Sequence, residues 1–128
     1  MKKKVLIVDD DADIVRILEF YVRKALPKVS IRVARDGVEA MQRLAEREPD
    51  FMLLDLHMPR MNGIDVCMQM RGRRIALHTT VISVSAGAQE HDKQLLHQLG
   101  IHHFVEKGGS LREKLSAVFR EVSGFPDG

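Results

Sequence analysis

Two short apolar runs, some forty-five residues apart, each stop abruptly at carboxylates. Val5-Leu6-Ile7-Val8 runs into Asp9-Asp10-Asp11, and Phe51-Met52-Leu53-Leu54 runs into Asp55, followed by Leu56-His57-Met58-Pro59. A run of this length with no polar alternation reads as a strand buried on both faces of a parallel sheet. Two such strands lying side by side and parallel would bring Asp9, Asp10 and Asp55 into one small space. Like charges at close range raise one another's affinity for protons, so a fold that keeps them ionised calls for a cation. The donors are all hard oxygens, which points to Mg²⁺ or a similar divalent ion and away from zinc.

The rest of the chain supports a parallel sheet, because strand and helix patterns alternate five times. Strands are expected near residues 4–8, 31–34, 51–54, 80–84 and 101–105. Between them, Ile14, Val15, Leu18, Val22 and Ala25 recur at helical spacing before Pro27, and Val38, Met41, Leu44 and Ala45 form a second stripe before Pro49. Asp36-Gly37 is a turn signal in which Asp36 can cap the second helix. A third helix is expected from Ile64 to about Met70, after a loop at 58–63 rich in Pro, Asn and Gly. A fourth is expected over 89–99, closed by Gly100. A fifth begins after Ser110, with Leu111, Leu115, Val118 and Val122 on its buried face. Right-handed crossovers turn this pattern into an α/β fold with helices on both faces of one doubly wound parallel sheet.

Ligands of such sheets bind at the carboxyl ends of the strands. Two further functional groups fall there: Ser85 ends the fourth strand in Val81-Ile82-Ser83-Val84-Ser85, and Lys107 follows the fifth. A carboxylate beside Mg²⁺ can attack phosphorus and form an acyl phosphate. The metal neutralises repulsion between the acids and the incoming group, and a lysine and a hydroxyl can hold its oxygens. One acid after a strand carries little information, whereas four strand ends supplying Asp, Asp, hydroxyl and Lys make a specific pattern.

With Asp9, Asp10, Asp55, Ser85 and Lys107 in this order, residues 3–122 resemble the receiver domain of two-component response regulators, of the chemotaxis-regulator type. The match includes an Asp-x-x-Met-Pro-x-x-x-Gly pattern at Asp55, Met58, Pro59 and Gly63. The resemblance implies a flavodoxin-like five-stranded sheet in the order 2-1-3-4-5. It implies Asp55 as phosphoacceptor, with Mg²⁺ bound by Asp10, Asp55 and the His57 carbonyl, and by Asp9 through water. It implies Ser85 and Lys107 as partners of the phosphoryl group, Phe104 as an aromatic switch that follows Ser85, and His57 and Gly87 as residues that tune hydrolysis. It further implies a sensor histidine kinase or phosphotransfer protein as donor, a downstream effector domain or protein, and a possible homodimer through the face of the fourth helix, fifth strand and fifth helix. Such a domain catalyses only its own phosphorylation and dephosphorylation. One departure stands out: the family's usual proline after the lysine is replaced by Gly108-Gly109. Glycine cannot enforce a cis bond, so a more mobile lysine loop is expected.

Other readings are weaker. The acids at 9–11 could be a solvated turn and helix cap, but Asp55 and Lys107 argue against that for Asp9 and Asp10; Asp11 and Asp13 are read as cap and first-turn acids. An aspartyl phosphatase of the haloacid dehalogenase type shares a first strand ending in Asp-x-Asp. It wants Thr or Val where Asp13 stands, and the chain is short for its substrate cap. A degenerate receiver used only for docking is the other alternative, motivated by Gly108. Among six histidines, His102 and His103 are adjacent on an expected strand and face opposite sides, and His91 and His97 fall on different helix faces, so no zinc site is expected.

Charge and cysteine usage exclude other classes. A net charge of +2 gives no ground for direct nucleic-acid binding, and Arg71-Gly72-Arg73-Arg74 is read as a solvated helix end. The single Cys67 fits a packing role in a reducing compartment. Only four apolar residues follow Lys2-Lys3-Lys4 before Asp9, too few for a signal peptide, and no membrane span is expected. A cytoplasmic domain over 1–122, with 123–128 as a tail or the start of a linker, is the expected organisation.

Overall fold

The computed structural model describes residues 2–123. It contains five strands and five helices in strict alternation: β1 (Lys3–Val8), α1 (Ala12–Ala25), β2 (Val29–Ala34), α2 (Gly37–Glu46), β3 (Phe51–Leu54), α3 (Gly63–Arg73), β4 (Thr80–Ser85), α4 (Glu90–Gln98), β5 (His103–Glu106) and α5 (Leu111–Ser123). All neighbouring strands are parallel, in the order β2-β1-β3-β4-β5, the doubly wound arrangement expected.

The uninterrupted apolar runs follow from burial of both sheet faces. Side chains alternate across a strand. On one face Leu6, Val8, Met52 and Leu54 pack against Met41 and Leu44 of α2, Val66 of α3 and Leu96 of α4. On the other, Val5, Ile7, Phe51 and Leu53 pack against Val15, Leu18 and Val22 of α1 and Leu115 and Phe119 of α5. The Phe51 and Phe119 rings meet edge to face, with centroids 5.2 Å apart. Aromatic contacts of this kind add to area burial, which helps a core that is otherwise aliphatic.

The local start signals act as their chemistry dictates. Asp11 accepts from the Asp13 and Ile14 N–H groups and caps α1. Asp36 accepts from the Glu39 N–H and caps α2. Asn62 and Asp65 form a reciprocal capping box that starts α3. At the end of α4, Gly100 takes φ +88°, the left-handed conformation that stops a helix.

Four expectations need correction. β2 starts two residues earlier than expected, at Val29. β5 covers His103–Glu106, so Ile101 and His102 precede the strand. Val38 is 46% exposed, and the inward face of α2 is Gly37, Ala40, Met41 and Leu44. A Cβ on Gly37 would lie 2.5 Å from the Met61 carbonyl oxygen, so the loop before α3 presses on the start of α2 and sets its rotation. On α5 the fully buried axis is Leu111, Leu115 and Phe119, with Val118 and Val122 only partly buried at its margins. The basic cluster does end α3, and Cys67 is buried with its thiol pushed up to about 12 by that burial. Of the expected tail at 123–128, Ser123 still belongs to α5, and 124–128 lie outside the described residues.

Candidate phosphoacceptor site

The register of the sheet gathers the polar strand ends at one edge. Asp9 follows β1 and its N–H donates to the Ala34 carbonyl at 3.1 Å; Asp55 follows β3 and its N–H donates to the Val8 carbonyl at 2.9 Å. These bonds extend the ladders one residue past the strands and lock the two acids beside each other. On the far side, the Lys107 N–H donates to the Ser85 carbonyl at 3.0 Å, tying the residue after β5 to the last residue of β4.

The side chains converge as the strand ends do. Asp9, Asp55 and Ser85 are buried, at 1%, 4% and 2% exposure, while Asp10 is exposed. Asp9, Asp10 and Asp55 offer carboxylate oxygens that all lie within 4.8 Å of one another. Lys107 Nζ reaches in to 2.8 Å from Asp9 Oδ2 and 3.5 Å from Asp55 Oδ1. Asp9 Oδ1 accepts from the Asp11 N–H at 3.0 Å, whereas the buried Oδ2 has the ammonium as an ion pair but no aligned hydrogen bond. Asp55 Oδ1 accepts from the His57 N–H at 3.3 Å.

The electrostatics show an acid pair short of positive charge. Burial, and then the neighbouring Asp9 charge, raise the Asp55 carboxyl above its ordinary value; Lys107 and the His57 N–H offset this only in part. Burial disfavours the Lys107 ammonium, but its pairing with Asp9 and Asp55 outweighs burial and the net shift is upward. A divalent cation suits this cluster: the donors are all carboxylate oxygens, they converge at binding range, and one buried oxygen lacks an aligned donor.

Glycine at 63 is a steric requirement of the site. A Cβ there would sit 2.5 Å from the Asp55 carbonyl oxygen and 3.0 Å from Leu56 Cα, so the start of α3 lies directly on the backbone that carries the central acid. The Gly63 N–H donates to the Leu56 carbonyl at 3.2 Å. By contrast, His57 and Gly87 are exposed, and nothing lies within 4 Å of a Cβ on Gly87. The Gly87 N–H approaches Ser85 Oγ at 3.5 Å. Phe104 on β5 is half-buried, with its ring 6.1 Å from that of His97.

The lysine loop solves the missing proline in its own way. Gly108 and Gly109 take φ +92° and +48°, and no peptide bond among the described residues is cis. Two successive left-handed residues turn the chain after Lys107, a geometry closed to proline and costly for other residues.

Sequence reasoning brought Asp9, Asp10, Asp55 and Lys107 together correctly as a cluster but gave no sign that Lys107 lies nearer Asp9 than Asp55. It also missed one pair elsewhere: His97 Nδ1 and His102 Nδ1 lie 2.7 Å apart. The turn at Gly100, and the late start of β5, were the signals that could have located it. A cavity of about 620 Å³ opens at the opposite end of the sheet, at the starts of β4 and β5, and takes no part in the acid cluster.

Comparison with known proteins agrees with this geometry. The chain is 32% identical over 123 residues to the alkaline phosphatase synthesis transcriptional regulatory protein PhoP of Bacillus subtilis, an alignment covering 94% of this chain and 50% of that protein. The chain thus spans about half the length of that curated relative. Two solved structures share the fold. Chemotaxis protein CheY4 of Vibrio cholerae superposes with a TM-score of 0.84 at 23% identity, covering 95% of this chain and 99% of that one. The phosphorylated cyanobacterial phytochrome response regulator RcpA superposes with a TM-score of 0.83 at 22% identity, covering 99% and 100%. The sequence model of the response regulator receiver domain matches residues 5–119, a span that holds all five strands except the first two residues of β1 and every side chain of the acid cluster; this chain belongs to that family.

Proposed function

We propose that the domain is a phosphoacceptor switch in which Asp55 takes a phosphoryl group from the phosphohistidine of a sensor kinase or phosphotransfer protein. The observation that carries this reading is the convergence of Asp9, Asp10 and Asp55 within 4.8 Å, with Lys107 Nζ reaching both buried acids. Asp55 is the natural nucleophile of the three, because it follows β3, the central strand, it heads the Asp-x-x-Met-Pro-x-x-x-Gly pattern, and its Oδ1 accepts from the His57 N–H.

Asp10 and Asp55, with the His57 carbonyl and Asp9 through water, would hold Mg²⁺, which supplies charge neutralisation and in-line orientation. The chain's own groups do the rest. Asp55 attacks phosphorus and the histidine leaves with its bonding electrons; Lys107 holds an equatorial oxygen. Ser85, at the end of β4 beside Lys107, takes another oxygen. A phosphoryl group adds charge of about −2 to a buried edge, and Ser85 and Phe104 carry that change toward the face of α4, β5 and α5. That face would then alter its preference for an effector domain or protein, or for a second copy of the chain. His57 and Gly87 flank the opening where water would reach the acyl phosphate. In this reading the domain catalyses only its own phosphorylation and dephosphorylation, in the cytoplasm, and contacts neither membrane nor nucleic acid itself. Among the described residues no helix is long and apolar enough to cross a membrane.

Two observations weigh against the alternatives. Lys107 reaches the acids despite Gly108, which speaks against a docking-only receiver. Asp11 is engaged in capping α1, so it is not free to serve as the second acid of an Asp-x-Asp phosphatase.

The test is intact-mass measurement after incubation with Mg²⁺ and a small acyl-phosphate or phosphoramidate donor, beside Asp55→Asn. One phosphoryl adduct on the parent and none on the variant is the expected result. An equal adduct on Asp55→Asn would overturn the assignment.

A further inference from the structure

The histidine pair at the end of α4 has a geometry that needs an explanation. His97 Nδ1 and His102 Nδ1 are 2.7 Å apart, and the ring centroids are 4.3 Å apart. Two unprotonated imidazole nitrogens at that distance would oppose their lone pairs, and two protonated ones would oppose their N–H groups. The arrangement requires one N–H facing one lone pair, a hydrogen bond between complementary tautomers, and a metal ion can take the place of the proton between the two nitrogens. The turn makes this possible. His97 lies in the last turn of α4, Gly100 reverses the chain at φ +88°, and the Ile101 N–H donates to the Leu96 carbonyl at 2.9 Å, which fixes the hairpin that carries His102. The backbone on both sides is therefore held while both rings remain exposed.

We infer that His97 and His102 form a second metal site, specific for borderline divalent ions such as Zn²⁺, Ni²⁺ and Cu²⁺. Imidazole favours these ions, whereas Mg²⁺ demands oxygen ligands. Tetrahedral coordination with Zn–N bonds near 2.0–2.1 Å places two ligand nitrogens about 3.3 Å apart. The exposed rings need to separate by only about 0.6 Å to reach it, well within the rotation of a histidine side chain. Protons balance without an added base when both rings are neutral: the ring that donates from Nδ1 moves its proton to Nε2, and both Nδ1 lone pairs face the ion. Water completes the coordination on the solvent side. The domain then carries two orthogonal cation sites, a hard-oxygen site at the carboxyl edge of the sheet and a nitrogen site on the α4–β5 surface. The second lies against Phe104, whose ring is 6.1 Å from that of His97. The site itself does not depend on the proposed phosphorylation.

The test uses unphosphorylated protein held in excess Mg²⁺, so that the acid cluster is occupied, and titrates in Zn²⁺ while recording amide and imidazole NMR signals. One Zn²⁺ per chain, with shifts centred on His97, His102 and Phe104, is expected. His97→Gln and His102→Gln should each weaken binding by at least about tenfold. Both variants should keep the Mg²⁺-dependent rise in melting temperature, which shows that they fold. Shifts confined to Asp9, Asp10 and Asp55, or Zn²⁺ binding unchanged in both variants, would overturn the inference.

Discussion

Lys107 Nζ lies 2.8 Å from Asp9 Oδ2 and 3.5 Å from Asp55 Oδ1, so the lysine is held mainly by the acid that is not the proposed phosphoacceptor. The ammonium is what makes two buried carboxylates tolerable side by side. Replacing it in Lys107→Met leaves them facing each other uncompensated. Breaking a fully buried pair costs about 3–5 kcal/mol; a loss of about 2–3 kcal/mol is expected here, because the lysine retains some exposure. The upward shift of Lys107 means its contribution is fully present at neutral pH and is lost only as pH rises past the ordinary lysine range. Urea unfolding at pH 7, without and then with Mg²⁺, checks this: the deficit should be largest without the ion, and an equal deficit in both would contradict the charge argument.

Asp55 gives a pH dependence of the same sign, but in the carboxylate range. Its carboxyl is raised by burial and by Asp9, so the native state holds that proton more tightly than the unfolded chain does. Where the native state binds more protons, stability falls as pH rises. The Asp55 penalty is therefore absent below the ordinary carboxylate value of 3.8 and grows as pH climbs through the raised native value. In Mg²⁺-free buffer at pH 7, Asp55→Asn should melt a few degrees higher than the parent. Mg²⁺ should stabilise the parent by about 2.7 kcal/mol when present at a hundredfold excess over its dissociation constant, and should do much less for Asp10→Asn. Chelator removal of the ion should return the parent to its lower melting temperature. Calorimetry across pH 4–8 with and without Mg²⁺ measures both effects, and an Asp55→Asn variant less stable than the ion-free parent would sink the assignment of strain to this carboxyl.

Much of this site was legible because strands fully buried on both faces announce themselves as unbroken apolar runs, and the first polar residue after each run marks the sheet edge. Asp9 and Asp55 were found this way, and Ser85 as the hydroxyl that ends the fourth strand, which Ser83 interrupts. The periodicity of α2 was read less well: spacing alone placed Val38 inward, but the close contact of Gly37 with Met61 turns the helix so that Ala40 faces the core and Val38 faces water. That contact joins segments more than twenty residues apart and leaves no local trace. The same holds for His97 and His102, which belong to no common helix or strand face and meet only because Gly100 reverses the chain. Lys107's choice of Asp9 over Asp55 depends on side-chain reach across three strands, beyond what any one-dimensional pattern encodes.

Two glycines near the acids should respond oppositely to the same change. A methyl at Gly63 meets backbone, the Asp55 carbonyl oxygen at 2.5 Å, and backbone cannot step aside cheaply. Gly63→Ala should cost about 1–3 kcal/mol and slow phosphorylation, because relief requires moving Asp55 itself. Gly87→Ala meets nothing within 4 Å and its φ is unremarkable, so stability should change by less than about 0.5 kcal/mol. Its effect should instead appear in the lifetime of the acyl phosphate, if the exposed Gly87, whose N–H lies 3.5 Å from Ser85 Oγ, tunes hydrolysis as proposed. Thermal melts and a phosphate-decay assay separate the two; a Gly87→Ala variant as unstable as Gly63→Ala would show that the open space beside Gly87 is filled in solution.

Restoring the family's usual residue at position 108 should impair the domain. Gly108 has φ +92°, and proline is fixed near −65°, so Gly108→Pro cannot adopt the turn that places Lys107. The loop would have to rebuild together with Gly109, at φ +48°, and would pull Lys107 Nζ away from its 2.8 Å contact with Asp9. Gly108→Ala provides the graded comparison: no atom lies within 4 Å of its Cβ, so its cost is backbone strain alone, about 1–2 kcal/mol. The expected order of phosphorylation rate with a small donor is parent, then Gly108→Ala, then Gly108→Pro. The Gly108→Pro deficit should resemble that of Lys107→Met, because both remove the ammonium from the acids. A Gly108→Pro variant that phosphorylates as fast as the parent would mean that the left-handed turn is not needed to deliver the lysine, and that Lys107 reaches the acids by another path.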